Sequence, residues 1–204
     1  MNAGAATDRA RLLIATTIPG KLREIAGILE GVPVDLVSLA GYPGLAQPEE
    51  TGKTFAANAQ LKALYYHRAT GLPSVADDSG LEIDALDGAP GVHSARWEGT
   101  DYGSKFRKIH ELLAARHARG SRARFVCRLA LASEGRIVFE SEGVIEGTIA
   151  DEPRGDNGFG YDPIFFYPPL GRTTAELDRD LKATVSHRGK AFAQLREYLQ
   201  GSAG

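Results

Sequence analysis

Two adjacent carboxylates, Asp77 and Asp78, close a short apolar run in GLPSVADDSGLEIDALDGAPGVHSARW, and Ser79 and Gly80 follow at once. A lone Asp before Ser-Gly reads as an Asx-turn, its side chain accepting hydrogen bonds from nearby backbone N–H groups. A pair is different. Like charges this close repel, which raises the pKa of one of them unless a cation compensates, and a hard divalent ion held by oxygen is the simplest compensator. Glu49 and Glu50, in a Gly/Pro-rich stretch, offer a second pair. Carboxylates from two loops, with water completing the shell, suit Mg²⁺, with Mn²⁺ as the alternative; Mg²⁺ retains waters and often binds beside substrate phosphates. Glu49, Glu50, Asp77 and Asp78 are therefore the candidate metal residues.

The complementary charges also fall into a pattern. Asn58 and Lys62 lie four residues apart, so on a helix an amide and an ammonium share one face. Alone, this pair reads as a solvated helix face. Lys21 follows a Pro-Gly turn at a helix start, where free N–H groups already favour an anion. Further on, GDNGFGYDPIFF sets Gly155, Gly158 and Gly160 around Phe159 and Tyr161: either a mobile loop whose aromatic faces stack on a planar base, or a packed turn with Tyr161 in the core. Finally, KATVSHRGKA places Lys182, Ser186, His187, Arg188 and Lys190 at a helix entrance, with Arg and His offering directed donors to ring oxygens and phosphates.

The spacing of apolar residues predicts the elements that carry these groups. Residues 12–16 read as a buried strand, 21–29 as a helix, 34–39 as a second strand, and a long helix runs from Thr54 as N-cap to near Gly71. Residues 74–77 form the next strand and 101–118 a helix; 122–133 and 136–149 are two β segments around a turn at Glu134-Gly135, and 187–199 a closing helix. Strands and helices interleave, which predicts an α/β fold with a mixed sheet. In such a sheet the loops leaving the strand ends form the ligand crevice, and Asp77-Asp78 is expected to project into it.

At 204 residues, with 43% apolar residues, the chain has enough material for one substantial core or two small lobes. A short tail over residues 1–11 and one domain over 12–200 are expected. The net charge of −2 argues against a nonspecific nucleic-acid binder. A single cysteine, Cys127, cannot form an intrachain disulfide, and it reads as a small buried apolar residue. With no signal-peptide core and no run of membrane-spanning length, no membrane partner is expected and the cytoplasm is the expected location.

Together, IATTIPGKLREI, EETGKTFAANAQLKA, ADDSGLEIDALDGAPGVHSARW, GFGYDPIFF, TAEL and SHRGKA, in this order, resemble the Ham1-like inosine triphosphate pyrophosphatase family. The resemblance spans residues 12–199 and implies a two-lobed α/β fold, a mixed sheet flanked by helices with a cleft between the lobes, and assembly as a homodimer. It also implies the reaction, in which a non-standard purine nucleoside triphosphate (ITP, dITP or XTP) and water give the monophosphate and pyrophosphate. Motif matching implies Asp78 as general base and metal-associated residue, Ser79 as a substrate contact, Glu49 or Glu50 on the metal, and Asp77 in support. Thr16 and Lys21 match the phosphate loop, and Asn58 and Lys62 the helix face that approaches the triphosphate. Phe159, Gly160, Tyr161 and Asp162 match the base loop, and Lys182, His187 and Arg188 the remaining nucleotide contacts.

Three positions depart from the family pattern. Ile18 stands where a phosphate-contacting Asn is expected, Ala57 replaces an acidic residue, and His93 a Tyr. Two other functions follow from the same residues: a nucleotide-binding protein of this fold with catalysis weakened at Ile18, or a phosphatase of ordinary nucleotides that releases orthophosphate.

Overall fold

The computed structural model describes residues 9–201. Residues 1–8 of the expected tail lie outside them, and residues 10 and 11 already belong to the first strand, β1 (Ala10–Ile14). Helix α1 (Pro19–Ile28) follows, then β2 (Val34–Ser38), α2 (Phe55–Thr70), β3 (Ser74–Ile83) and α3 (Tyr102–Ala115). The β4 (Arg122–Ser133) and β5 (Arg136–Ile149) hairpin has the expected bounds, and both turn residues take positive φ, 52° at Glu134 and 75° at Gly135, as two-residue hairpins require. Short strands β6 (Phe165–Tyr167) and β7 (Arg172–Thr173) and helices α4 (Arg179–Val185) and α5 (His187–Gly201) complete the chain. Helix α2 starts as its sequence requires: the Thr54 side chain accepts from Ala57 N–H, a cap whose loss costs about 1 kcal/mol.

One seven-stranded sheet, ordered β2-β1-β3-β4-β5-β6-β7, joins these elements; β2, β1 and β3 are parallel and the rest antiparallel, so the sheet is mixed as expected. Its main departure from the sequence reading is β3. The strand does not end at Asp77 but runs on to Ile83, paired throughout with β4 from Ser74↔Ala132 to Ile83↔Ala123. Asp, Ser and Gly are poor strand formers, and pairing with a long neighbour overrides that preference.

Successive side chains on a strand point to opposite faces, and the core follows that alternation. Leu12, Ile25, Val75, Leu129 and Phe192 pack on the face covered by α1 and α5. Leu13, Ala59, Ala63, Ala76 and Ala130 pack under α2 on the other face. A third cluster, including Leu81, Ile109, Phe125 and Phe165, fills the far half of the sheet beneath α3. Strand β1 pairs with β3 only at Leu13↔Ser74 and Ile14↔Val75, so β3 continues past the end of its neighbour. A cleft of about 390 Å³ opens on that vacated edge.

Candidate active site

The edge of β3 left by β1 supplies the floor of the cleft. Backbone groups on this edge belong to alternate residues: Val75 accepts from Ala15 N–H at 2.8 Å, and Leu81 donates to Ser94 Oγ at 2.9 Å. Between them, the main chain of Asp77 and Ser79 faces the cleft. Both carboxylates border the cleft, as expected, but from the middle of β3 and not from its end. They leave the strand on opposite faces.

Asp77 points to the α1/α5 face. Its Oδ2 accepts from Lys21 Nζ at 2.7 Å and from Ser79 Oγ at 2.6 Å, and Arg188 Nε stands 3.6 Å away. Burial opposes its ionisation, but Lys21, Arg188 and Lys62 outweigh burial and hold the carboxyl far below the usual carboxylate range. Asp77 is thus a buried carboxylate paired with two cations. Cys127, behind it with Sγ at 3.9 Å, is a buried thiol pushed up to about 12 by burial, in keeping with a packing role.

Asp78 points to the α2 face. Asn58 Nδ2 donates to its Oδ2 at 3.0 Å and Lys62 Nζ lies 3.3 Å from its Oδ1. Burial raises its pKa, Glu50 adds to the rise, and Lys62 and Asn58 offset these only in part. The Lys62 ammonium also donates to Glu50 at 2.7 Å, so Glu50 and Asp78 converge on one cation at the cleft wall. The carboxylates outweigh the effect of burial on Lys62, which stays charged. Glu49, by contrast, is exposed and lies outside the cleft lining. Among the described residues no three His, Cys, Asp or Glu side chains converge as a metal cage.

The other expected residues divide between lining and support. Thr16, Lys21, Lys62, Ser79, Phe159, Gly160, Tyr161, Asp162, Lys182, His187 and Arg188 all border the cleft. Asn58 does not: it is fully buried, holds Asp78 with its amide and accepts from Gly52 N–H at 2.8 Å. Its amide ends are held by Asp78 and by Gly52 N–H, so it fixes Asp78 in place. In the base loop, Asp162 accepts from Phe159 N–H at 2.8 Å, Lys182 Nζ at 2.6 Å and Thr174 Oγ1 at 2.8 Å. Tyr161 is buried, packs edge-on against Tyr102, and donates to Ser94 O at 2.9 Å. The packed-turn reading describes Tyr161, and Phe159 is the ring left to present a face.

His187 stacks on Phe125 with centroids 4.7 Å apart, and its Nδ1 and Arg188 Nε are buried without hydrogen-bond partners among the described residues. Burial, helped by Arg188 and Lys182, keeps the imidazole neutral. Two residues with clear positions in the site went unread in the sequence. Glu24 accepts from Lys182 at 2.7 Å and Arg188 at 2.6 Å, partners too far along the chain to leave a local signal. Arg96 reaches across to Glu50 at 3.4 Å, and sits in the quoted SARW segment.

A carboxylate of raised pKa, two flanking lysines and a loop presenting an aromatic face share this cleft. The Ham1 family model matches residues 12–198. The chain belongs to the Ham1 family. Curated relatives named dITP/XTP pyrophosphatase include those of Geobacter sulfurreducens, 47% identical over 93% of this chain and 96% of the relative, and Rhodospirillum centenum, 50% identical over 90% and 92%. Among solved structures, a HAM1 protein from Coxiella burnetii superposes with a TM-score of 0.87 at 40% identity, covering 94% of this chain and 99% of that one. As in other Ham1 chains of known structure, helices flank a mixed sheet.

Proposed function

We infer that this Ham1 chain hydrolyses ITP, dITP and XTP to the nucleoside monophosphate and pyrophosphate, removing them from the nucleotide pool. Curated Ham1 relatives bear the name dITP/XTP pyrophosphatase over nearly the whole chain. The observation that carries the mechanism is Asp78, a carboxylate of raised pKa held by Asn58 at the cleft wall. As general base, Asp78 accepts a proton from the attacking water, whose oxygen bonds to the α-phosphorus; the phosphoanhydride between the α- and β-phosphates breaks, and pyrophosphate leaves with the bonding electrons. Lys21 and Lys62 balance charge on the departing group. Thr16 and the uncapped start of α1, where Ile18 supplies no side-chain cap, present donors to phosphate oxygens.

Glu50 and Asp78 fit a divalent cation, because two hard carboxylates already converge on one positive charge in an open cleft, and Mg²⁺ needs only one or two carboxylates beside phosphate and water. When bound, Mg²⁺ or Mn²⁺ supplies charge neutralisation to the phosphates. Glu50, not the exposed Glu49, is the residue we assign to it. On the base side, Phe159 is the stacking face. The Arg188 guanidinium and backbone N–H groups favour a 6-oxo purine over adenine, whose amino group meets donors with a donor.

Incubation with ITP, dITP, XTP, ATP and GTP, with and without Mg²⁺, tests this reading. Pyrophosphate from ITP, dITP and XTP and not from ATP is expected; orthophosphate as the product points instead to a phosphatase. We further propose a homodimer, supported by an apolar groove among Leu61, Leu64 and Tyr65 on α2 and checked by light scattering, where a monomeric mass contradicts it. Placement in the cytoplasm is part of the same reading; no helix among the described residues is long and apolar enough to cross a membrane.

A further inference from the structure

We propose that Gly20 is a specificity-determining position: by lacking a side chain it seats the Phe159 ring on the first turn of α1. The helix that bears the phosphate-side Lys21 thereby also sets the face on which the base stacks. This rests on the reading of Phe159 as that face.

Backbone geometry does not explain the glycine. Gly20 lies inside α1 and is not among the residues at positive φ, so any L-residue fits its main chain, and a helix favours alanine over glycine. Space explains it. A Cβ at Gly20 would stand 2.6 Å from Phe159 Cδ1 and 3.0 Å from Cε1 and Cγ, and the three nearest atoms all belong to that ring. Phe159 is anchored at its main chain by the bond from its N–H to Asp162, which leaves the ring's direction to its neighbours. Those neighbours are Gly20, Lys182 Nζ at 5.2 Å from the ring centroid, and Arg188 Cζ at 5.4 Å. Both cations are held by Glu24, one turn further along α1. Phe159 also borders both the main cleft and a smaller pocket of about 160 Å³ that Gly20 lines, so the ring stands as the partition between them. An added methyl displaces the partition from α1 and reshapes the base side of the cleft without touching Asp78 or Lys62.

The test is a double-mutant cycle of Gly20→Ala and Phe159→Ala, reading kcat and KM for ITP and ATP together with the melting temperature. For Gly20→Ala in the wild-type background, the ITP-to-ATP ratio of kcat/KM should fall about 10-fold, mainly through KM for ITP, with the protein still folded. In the Phe159→Ala background the same substitution should leave the ratio unchanged and raise the melting temperature, because the methyl meets no ring and the helix gains. An unchanged ratio in the wild-type background overturns the proposal, as does an equal change in both backgrounds. If the wild type turns over ITP and ATP alike, the functional reading fails instead. The seat is then decided by stability: additive effects of the two substitutions overturn it, and non-additive effects support it.

Discussion

The two faces of β3 treat neighbouring carboxylates in opposite ways. Asp77, on the α1/α5 face, meets Lys21 and Arg188 and is ionised far into acid; Asp78, on the α2 face, shares Lys62 with Glu50 and is harder to ionise than a free carboxyl. Both are buried, so desolvation alone does not separate them. Cation supply does. Asp77 has Lys21 and Arg188 beside it, Arg188 being shared with Glu24, whereas Asp78 has Lys62 beside it, shared with Glu50, and Arg96 on that side reaches Glu50 and not Asp78. A cation-rich face makes a structural tie, and a cation-poor face makes a base and leaves room for a further positive charge.

Removing each charge in turn is the direct way to break this contrast. Asp77→Asn leaves Lys21 and Arg188 buried without their shared counterion, and breaking such a pair costs about 3–5 kcal/mol. A large fall in the urea midpoint is expected; a midpoint within error of wild type would remove Asp77's structural role. Because the folded pKa of Asp77 is depressed, its contribution is fully present above the ordinary carboxylate value of 3.8 and is lost as pH falls through the lower folded value. That stability loss should therefore be constant from pH 5 to 8.

Asp78→Asn should lower turnover at least roughly 10²-fold, the scale of a general base. Its effect on stability has the opposite sign. A raised folded pKa means that ionised Asp78 costs stability, a cost absent below 3.8 and developed as pH rises through the folded value. The variant should thus melt no lower than wild type at neutral pH, with its advantage vanishing in acid. Near wild-type turnover would move the base elsewhere, to Glu50 first.

A smaller effect is expected at Ile18, 41% exposed at the N-cap of α1 and not packed behind the loop. Ile18→Asn supplies both a helix cap and a donor beside phosphate, a contact contributing about 1.5–3 kcal/mol when well aligned. KM should fall about 10-fold for ITP and ATP alike; a lower melting temperature with no gain in efficiency contradicts this.

Elements fixed by local chemistry were legible before the structure was known. The Thr54 cap and the Glu134-Gly135 turn mark their boundaries in their own residues, and six ordered motifs carry the family. The extension of β3 was not, because Asp-Ser-Gly reads as a turn until a partner strand is known to lie beside it. Sidedness was equally hidden. Adjacent acids look coupled in one dimension, and the cations that separate them come from distant positions: Lys21 is 56 residues from Asp77, and Arg188 is farther still. Glu24 lies 158 residues from Lys182, so that ion pair leaves no trace in local spacing.

The most direct test measures the product and metal dependence of wild type and Asp78→Asn side by side, with ITP as substrate. Metal-dependent pyrophosphate release that collapses in Asp78→Asn while the variant remains folded is the expected result. Pyrophosphate release that persists in the folded variant, or full activity in excess EDTA, contradicts the assignment of the α2 face of β3 as the catalytic one.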